Sequence, residues 1–426
     1  MPTQTRYVTI ALPGEVQAVP AGLLEMDEIG AETQRSTFSY GKLYVQRANA
    51  LPVDPLSLPL TGERMIGLVP TGGLTLFGAL RDAAPDFWGR RVIENKLRAA
   101  PGTLPESTFL DHAGPNRIGA LNVQREREGV PHVGNLPKEV DLEYLLDAAG
   151  RVEDGLPVPA QMEYFFAGAP SLGGARPKAL VEDSGRQWIA KFPARGDTMD
   201  MSWIEYGTLK LAERAGLRVP PLRLVTLPGQ RNVMMIQRFD RLSEAEAFAK
   251  IHMVSALTML GIHESESHQA HYADIARVIE QYGAVGAVKA DRMELFKRMV
   301  FNILVSNDDD HLRNHAFIYS SQDGGWRLSP LYDVVPRNSS AYERYLHLSI
   351  GPSGRLSTLE NALNGCGQFG LDRHEAALAI SEVAAITRGW MGHFEEFNVP
   401  GKQIDAIRSA FRRPSDIGMA AVEKSL

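Results

Sequence analysis

The spacing of hydrophobic and polar residues predicts a β-rich beginning of the chain. Residues 7–12 and 38–45 are short runs rich in aromatic and β-branched side chains, and Gly and Pro punctuate the stretches between them. Residues 85–93 predict a helix, with Pro85 at an early position where its missing N–H costs nothing. Residues 100–160 are mixed and loop-rich. From the predicted strands near the start of the chain, we expect a β-rich subdomain over residues 1–150.

A different texture begins near residue 171 and predicts a β-hairpin followed by a helix. Two apolar runs flank the polar break at 183–185, which is typical of a hairpin. The predicted elements of this region are a hairpin over 179–192, a helix over 202–215 that Gly216 ends, and strands over 222–227 and 233–237. They define a second predicted region, residues 151–245.

Beyond about residue 245 the pattern is mainly helical. Residues 291–304 place Phe296, Met299, Val300 and Ile303 on one face at helical spacing. The chain therefore predicts an α+β protein, in which a β-rich N-terminal part precedes a mostly α-helical C-terminal part over residues 246–426.

Composition narrows the class of protein. A length of 426 residues predicts two or three subdomains, and 44% hydrophobic with 23% charged residues is typical of a globular protein. The net charge of −6 gives no global reason to coat nucleic acid. Cys366 is the one cysteine, and neither a signal peptide nor a run of about 18 apolar residues is found. We therefore expect a cytoplasmic protein without membrane contact.

The strongest chemical signal is the segment 307–314, directly after the amphipathic helix. Asp309 and Asn314 are five residues apart. Protein-kinase catalytic loops use this separation between the Asp that accepts the substrate hydroxyl proton and the Asn that holds magnesium. The alternative is that the aspartates 308–310 merely cap a helix or face solvent.

A second acidic position lies 19 residues after Asn314, where the apolar run 328–332 ends at Asp333. Such a run resembles a strand whose end carries a metal-binding carboxylate. Magnesium prefers oxygen ligands and takes only one or two from carboxylates. Asp333 and Asn314 would supply that set, and their presence favours a site over a solvated loop.

Upstream, Lys191 lies among apolar neighbours in a predicted strand, where an ammonium group is costly unless paired. Glu205 in the following helix could pair with it, as kinases pin their phosphate-contacting lysine. The alternative is a lysine at a sheet edge and a surface glutamate.

The turn at 171–178 is rich in glycine but matches neither a Walker A motif nor a Gly-x-Gly-x-x-Gly motif. Its adjacent glycines would let backbone N–H groups approach an anion, and Arg176 and Lys178 add positive charge. The segment 234–241 ends a predicted strand and turns polar, as a kinase hinge does. The alternative is a plain strand end.

In this order, these residues resemble the HipA family of bacterial serine/threonine kinases, the toxins of HipBA-type toxin–antitoxin pairs. The resemblance rests on segments 81–82, 85–90 and 171–178, on Lys191 and Glu205, on segment 238–241, on Asn307-x-Asp309-x-His311-x-x-Asn314, and on 331–333. It implies a bilobed, protein-kinase-like fold, with region 151–245 as the nucleotide-binding N-lobe and 246–426 as the C-lobe.

The resemblance also implies a role for each matching residue. Asp309 would be the catalytic residue, Asn314 and Asp333 would be magnesium ligands, and His311 would orient the segment. The ATP site would include Lys191 with its partner Glu205, the residues Gly173, Gly174 and Lys178, and Gln237 and Phe239 at adenine. Ser171 would be a site of autophosphorylation. Gln237 stands where some members carry an acidic residue, which matters little if the adenine contact is by backbone. A phosphate on Ser171 would eject the loop and shut the kinase off.

We therefore expect an ATP- and Mg²⁺-dependent protein kinase that acts as a toxin. Its implied partner is a helix-turn-helix antitoxin, docked on the β-rich N-terminal region, which would make the DNA contact. The implied substrate is a protein, with translation components as the known class. Two alternatives stay open, a kinase for a small molecule or lipid headgroup and a non-catalytic nucleotide-binding module.

Overall fold

The structure is a computed structural model of the chain, and it describes residues 3–13, 15, 17–61, 65–127, 136–159, 165, 174–243 and 248–426. Backbone contacts divide the chain into two compact units. The first unit comprises Met1–Gly196 and Val225–Ile262, and the second comprises Asp197–Leu224 and His263–Leu426. The predicted boundaries at residues 150 and 245 remain predictions.

The first unit begins with an antiparallel sheet of order β3-β2-β1-β4. The strands of this sheet are β1 Thr3–Ile10, β2 Val19–Ile29, β3 Glu32–Tyr40 and β4 Leu121–Gln124. The same part of the chain contains the helices α1 Lys42–Val45, α2 Gly78–Asp82, α3 Phe87–Leu97, α4 Glu106–His112 and α5 Leu142–Glu153. The prediction of one strand over 38–45 is wrong at its end. The strand stops at Tyr40, and Gly41 precedes the short helix α1. The helix predicted over 85–93 forms, but Pro85 lies outside it because Asp86 is its N-cap.

A second sheet of order β5-β6-β8-β7 follows. Its strands are β5 Lys178–Asp183, β6 Arg186–Lys191, β7 Leu222–Leu227 and β8 Arg231–Gln237, and the short elements β9 Arg241–Ser243, β10 Phe248–Lys250, β11 Met253–Ser255 and α7 Ala256–Leu260 come after them. The predicted hairpin is confirmed, since β5 and β6 pair in register from Lys178 opposite Lys191. Side chains of α3, α5, β5, β6 and β8 share one buried core that contains Trp88, Leu145 and Met235.

The segment predicted as a hinge contains a buried ionic cluster in the first unit. Asp240 accepts hydrogen bonds from Arg238 at 2.6 and 2.8 Å, from Arg241 at 2.9 Å and from the Gly119 amide at 2.8 Å. The two guanidinium groups also donate to the carbonyls of Asn116, Arg117 and Gly119. The cluster therefore ties the end of β8 to the loop before β4.

The second unit is mainly helical. Its helices are α6 Met201–Arg214, α8 Tyr272–Tyr282, α9 Val288–Val305, α10 Leu359–Asn364, α11 Arg373–Arg388, α12 Trp390–Glu396, α13 Gly401–Ala406 and α14 Met419–Glu423, and the hairpin β12 Ala316–Ser320 with β13 Gly325–Leu328 lies among them. The helices predicted over 202–215 and 291–304 are confirmed. However, α9 buries polar residues such as Asp291, Arg298 and Asn302 as well as its apolar face.

The predicted α+β class is confirmed by a sheet-rich first unit and a mostly helical second unit. No helix within the described ranges is both long enough and apolar enough to cross a membrane.

The cluster around Asp240 predicts acid-sensitive stability. Burial alone would raise the pKa of Asp240, but Arg238 and Arg241 outweigh it and hold that pKa below its ordinary value. The unfolded chain therefore takes up the proton first, and the stabilisation present above pH ~4 is lost as the pH falls towards the folded-state pKa. Asp240→Asn should cost about 3–5 kcal/mol at neutral pH, because it leaves buried guanidinium groups without their counter-charge.

Urea unfolding at pH 7 and at lower pH measures both effects. Asp154→Asn is the matched control, because Asp154 pairs at 2.8 Å with Arg195, whose side chain is 63% exposed. Removing an exposed pair should cost less than about 1 kcal/mol. Equal urea midpoints for the two variants would contradict a stabilising role of the cluster.

Candidate active site

Helix α9 carries buried charges that fix the segment after β13. Arg298 is fully buried, pairs with Glu294 at 2.9 Å and donates to the Ser329 carbonyl at 2.6 Å. Asp291 accepts a hydrogen bond from the Leu328 amide at 3.0 Å and pairs with Arg327 at 2.9 Å. The chain that leads to Asp333 is therefore attached to α9 by side chains that the helix itself supplies.

The segment 307–314 is attached to the other end of α9. Ser306 ends the helix in a left-handed conformation with φ of 53°. Asn307 then bonds back to Asn302, through its amide N–H at 3.0 Å and through its side chain at 3.1 Å. This double contact reverses the chain as soon as the helix stops.

Asp310 is the buried carboxylate of this segment, only 1% exposed. It accepts a hydrogen bond from the hydroxyl of Tyr272, which lies on α8, and His315 Nε2 lies 3.0 Å from the same oxygen. Burial alone would raise the pKa of Asp310, but His315 and the hydrogen bonds outweigh it, so the pKa lies below its ordinary value. Asp310, which the spacing to Asn314 does not single out, is thus the anchor of the segment.

Asp309 has the opposite environment. Its side chain is 60% exposed, and Arg337 Nη2 lies 3.0 Å from its Oδ2. The same guanidinium contacts Asp308 Oδ1 at 3.0 Å through Nε. The structure therefore presents Asp309 to solvent while the backbone on either side of it is held, an arrangement suited to accepting a proton from an incoming hydroxyl.

The structure joins Asn314 to Asp309, and it joins the residue before Asp333 to the residue before Asn314. The Asn314 side-chain N–H donates to the Asp309 carbonyl at 3.0 Å, so its oxygen Oδ1 is the atom that could ligate a cation. Tyr332 donates its hydroxyl to the Arg313 carbonyl at 2.7 Å, which joins the neighbours of Asp333 and Asn314. Asp333 itself adopts φ of 59°. It does not end a strand, since β13 stops at Leu328.

His311 points towards another imidazole. Its ring meets His347 edge to face with centroids 6.0 Å apart, and His347 Nε2 lies 3.1 Å from Ser267 Oγ. The Leu312 amide donates to that Ser267 oxygen at 3.4 Å. These contacts agree with a residue that orients the segment, which remains a prediction for His311.

In the first unit, three predicted ATP-site residues lie around the start of β5. Lys178 and Lys191 are directly opposite each other in the β5–β6 ladder, so their side chains share one face of the hairpin. A Cβ atom built on Gly174 would collide with the Lys178 ammonium group. Two ammonium groups and a glycine backbone thus occupy one corner of the sheet, an arrangement suited to an anion.

The other predicted residues have the following places. Gln237 ends β8 and accepts a hydrogen bond from Arg186 at 3.2 Å. Phe239, two residues later, is half-buried. Glu205 is buried on α6 in the second unit, and its pairing with Lys191 stays a prediction. Gly173 and Ser171 lie outside the described residues.

The donor set suits magnesium. Asn314 Oδ1 and the Asp333 carboxylate are hard oxygen ligands, and Mg²⁺ usually binds one or two carboxylates together with substrate phosphates and water. The partly buried hydrogen bonds of Asn314 and Tyr332 would fix Asn314 and the segment of Asp333 before the metal arrives.

Comparison with known proteins gives consistent results. The family model described as "HipA-like C-terminal domain" matches residues 170–390, just over half of the chain. Two curated Sinorhizobium fredii proteins are similar to this chain. "Putative kinase Y4mE" is 26% identical over 326 residues, covering 70% of this chain and 71% of that protein. "Putative kinase Y4dM" is 28% identical over 320 residues, covering 71% and 72%.

A solved structure shares the fold. It is the Shewanella oneidensis toxin–antitoxin complex of HipA, HipB and operator DNA, with a TM-score of 0.67 over 99% of this chain and 97% of that chain. The sequence identity is 16%, so the match bears on architecture. It supports the predicted kinase-like fold class.

The hydrogen bond from Tyr272 to Asp310 should stabilise the folded protein, and removing the Tyr272 hydroxyl alone tests this. Tyr272→Phe removes a buried hydroxyl that donates to Asp310 and accepts the Asn302 side-chain N–H at 3.3 Å. It should lower the free energy of unfolding by about 1–3 kcal/mol, because buried partners lose a hydrogen bond.

Urea unfolding measures this effect, and hydrogen exchange of the segment 307–314 should become faster in Tyr272→Phe. Tyr345→Phe is the control, since Tyr345 is 50% exposed and its hydroxyl donates to Glu343 at 2.9 Å. That change should stay within about 0.5 kcal/mol of the wild type. If both variants unfold alike, the contact with Asp310 contributes nothing.

Proposed function

The chain belongs to the HipA family, and from this premise we propose that it is an ATP- and Mg²⁺-dependent serine/threonine protein kinase. One observation carries the proposal. Within the second unit, an exposed Asp309 is joined to Asn314 by one hydrogen bond, and Tyr332 joins the chain beside Asp333 to the same segment by another. This is the set of groups that phosphoryl transfer to a hydroxyl requires.

The proposed chemistry assigns a task to each residue. Asp309 orients the substrate hydroxyl and accepts its proton as the oxygen attacks the γ-phosphorus and the bond to the ADP oxygen breaks. Asn314 and Asp333 hold the metal, which when bound neutralises charge on the phosphates. Lys178 and Lys191 in the first unit contact phosphates, and Gln237 and Phe239 bracket adenine. Glu205 partners Lys191, and Gly173 belongs to the phosphate loop.

We further propose the biological setting from the family. The Shewanella oneidensis relative of this fold was solved with HipB and operator DNA, which supports a HipB-like helix-turn-helix partner for this chain. That partner would contact DNA, consistent with the net charge of −6 on this chain. The proposed substrate is a protein of the translation machinery, and Ser171 is the proposed site of autophosphorylation.

The catalytic assignment is tested by exchanging neighbouring aspartates. Asp309→Ala should lower phosphate transfer from labelled ATP by roughly a hundredfold or more, as expected for loss of a general base. Asp308→Asn is the matched control, because Asp308 is next in sequence, is 49% exposed and contacts the same Arg337. It should retain most of the activity.

Transfer to the protein itself and to lysate proteins is the readout, with phosphosites located by mass spectrometry. If the wild type labels nothing and Asp309→Ala behaves identically, the proposal is wrong. Labelling that depends on a low-mass lysate fraction would indicate a small-molecule kinase instead. ATP binding without any transfer would indicate a non-catalytic module.

Removal of the metal tests the second assignment. Chelation by EDTA should abolish transfer, and excess Mg²⁺ should restore it, because the phosphates and the oxygens of Asn314 and Asp333 need a shared cation. Asn314→Ala should raise the Mg²⁺ concentration needed for half-maximal activity. Activity that is unchanged in EDTA would contradict a magnesium requirement.

A further inference from the structure

Gly174, the first described residue of the glycine-rich turn, is attached to a segment far upstream in the same unit. Its amide donates to Asp86 Oδ2 at 2.9 Å, and its carbonyl accepts the Trp88 amide N–H at 3.1 Å. Both backbone groups of this glycine are therefore used by the start of α3.

Asp86 is suited to this task because it bonds in two directions. As the N-cap of α3, its Oδ1 accepts the Phe87 amide at 2.7 Å, while Oδ2 accepts the Gly174 amide. A charged acceptor makes each bond stronger than a neutral one would. The Asp86 carboxylate thus both caps helix α3 and holds Gly174.

Trp88 fixes the other side of the turn. Its ring is fully buried in the core that includes Ala179 and Val181 of β5. Its indole N–H donates to the Lys178 carbonyl at 2.8 Å. Because Trp88 also holds Gly174, one residue of α3 sets the separation between the two ends of the segment 174–178.

The geometry of Gly174 explains why that separation matters. Its φ is 91°, and a Cβ atom there would strike the Lys178 ammonium group. The turn therefore brings the lysine side chain back over the glycine backbone. The conformation of Gly174 and the position of the Lys178 ammonium group are therefore coupled.

We propose that Asp86 and Trp88 are positioning residues for the nucleotide phosphates, acting through Gly174 and Lys178. The inference rests on the proposed function, since it names what holds the phosphate-contacting turn of that site. Neither residue is proposed to touch ATP. Their effect is to keep the turn in its binding conformation before the nucleotide arrives, which removes an ordering cost from binding.

The test compares two carboxylates on the same helix. Asp86→Asn leaves one oxygen for two amide N–H donors, so the Gly174 bond or the cap is lost. Glu94→Gln is the control. Glu94 also lies on α3 and is 8% exposed, and its carboxylate accepts a hydrogen bond from the Gly102 amide at 2.7 Å. An amide keeps that bond. Trp88→Phe, which removes the indole N–H but keeps an aromatic ring, is a second variant.

ATP affinity measured by calorimetry on the full chain should fall about tenfold in Asp86→Asn, the loss expected for one charge-assisted bond. Transfer at saturating ATP should change by less than about twofold, since the effect is on binding. Hydrogen exchange of a peptide covering 174–178 should be faster in Asp86→Asn and Trp88→Phe. Glu94→Gln should match the wild type in affinity and exchange.

Each outcome decides something. If the wild type binds ATP and Asp86→Asn binds it equally well, the positioning role is wrong while the kinase proposal stands. If exchange is unchanged in both variants, the contacts seen at Gly174 do not order the turn, and the inference fails. A wild type that binds no ATP overturns the positioning role and the kinase proposal together.

Discussion

The buried carboxylate of Asp310 is the interaction on which the candidate active site depends. A carboxylate with 1% exposure is unfavourable unless charged and polar partners compensate for the lost water. Here the His315 ring lies 3.0 Å from the carboxylate, and the Tyr272 hydroxyl of helix α8 donates a hydrogen bond to it. The segment 307–314 is thereby fixed at its centre. Asp309, one residue away, keeps an exposed carboxylate that Arg337 contacts at 3.0 Å.

The same logic applies to the segment that carries Asp333. The buried charge of Arg298 in the centre of α9 would be costly without Glu294 and the Ser329 carbonyl, which bind its Nε and Nη2. Those bonds do not merely compensate the burial, because they attach the chain after β13 to α9. Helix α9 thus holds the segment of Asp309, the proposed catalytic residue, at its end, and the segment of Asp333, the proposed metal ligand, along its side. A single rigid element sets the separation between the two.

The sequence predicts the parts of this arrangement that depend on local pattern. The β5–β6 hairpin, α6 and α9 follow from hydrophobic spacing, whereas the catalytic role inferred from the Asp309–Asn314 separation stays a prediction. The role of Asp310 could not be predicted, because its partner Tyr272 is 38 residues away and three consecutive aspartates look alike. The run 328–332 looked like one strand, but Pro330 lacks an N–H and its segment bonds to α9 instead.

The cost of keeping Asp333 where it is favours a functional reading over a solvated loop. A non-glycine residue at φ of 59° loses roughly 1–2 kcal/mol of backbone energy, somewhat less for Asp, and glycine would avoid that loss. Likewise, Lys178 and Lys191 face each other in a ladder where like charges oppose folding. A metal ion bound by the Asp333 carboxylate would offset the first cost, and a phosphate beside the two lysines would offset the second. ATP with Mg²⁺ would supply both.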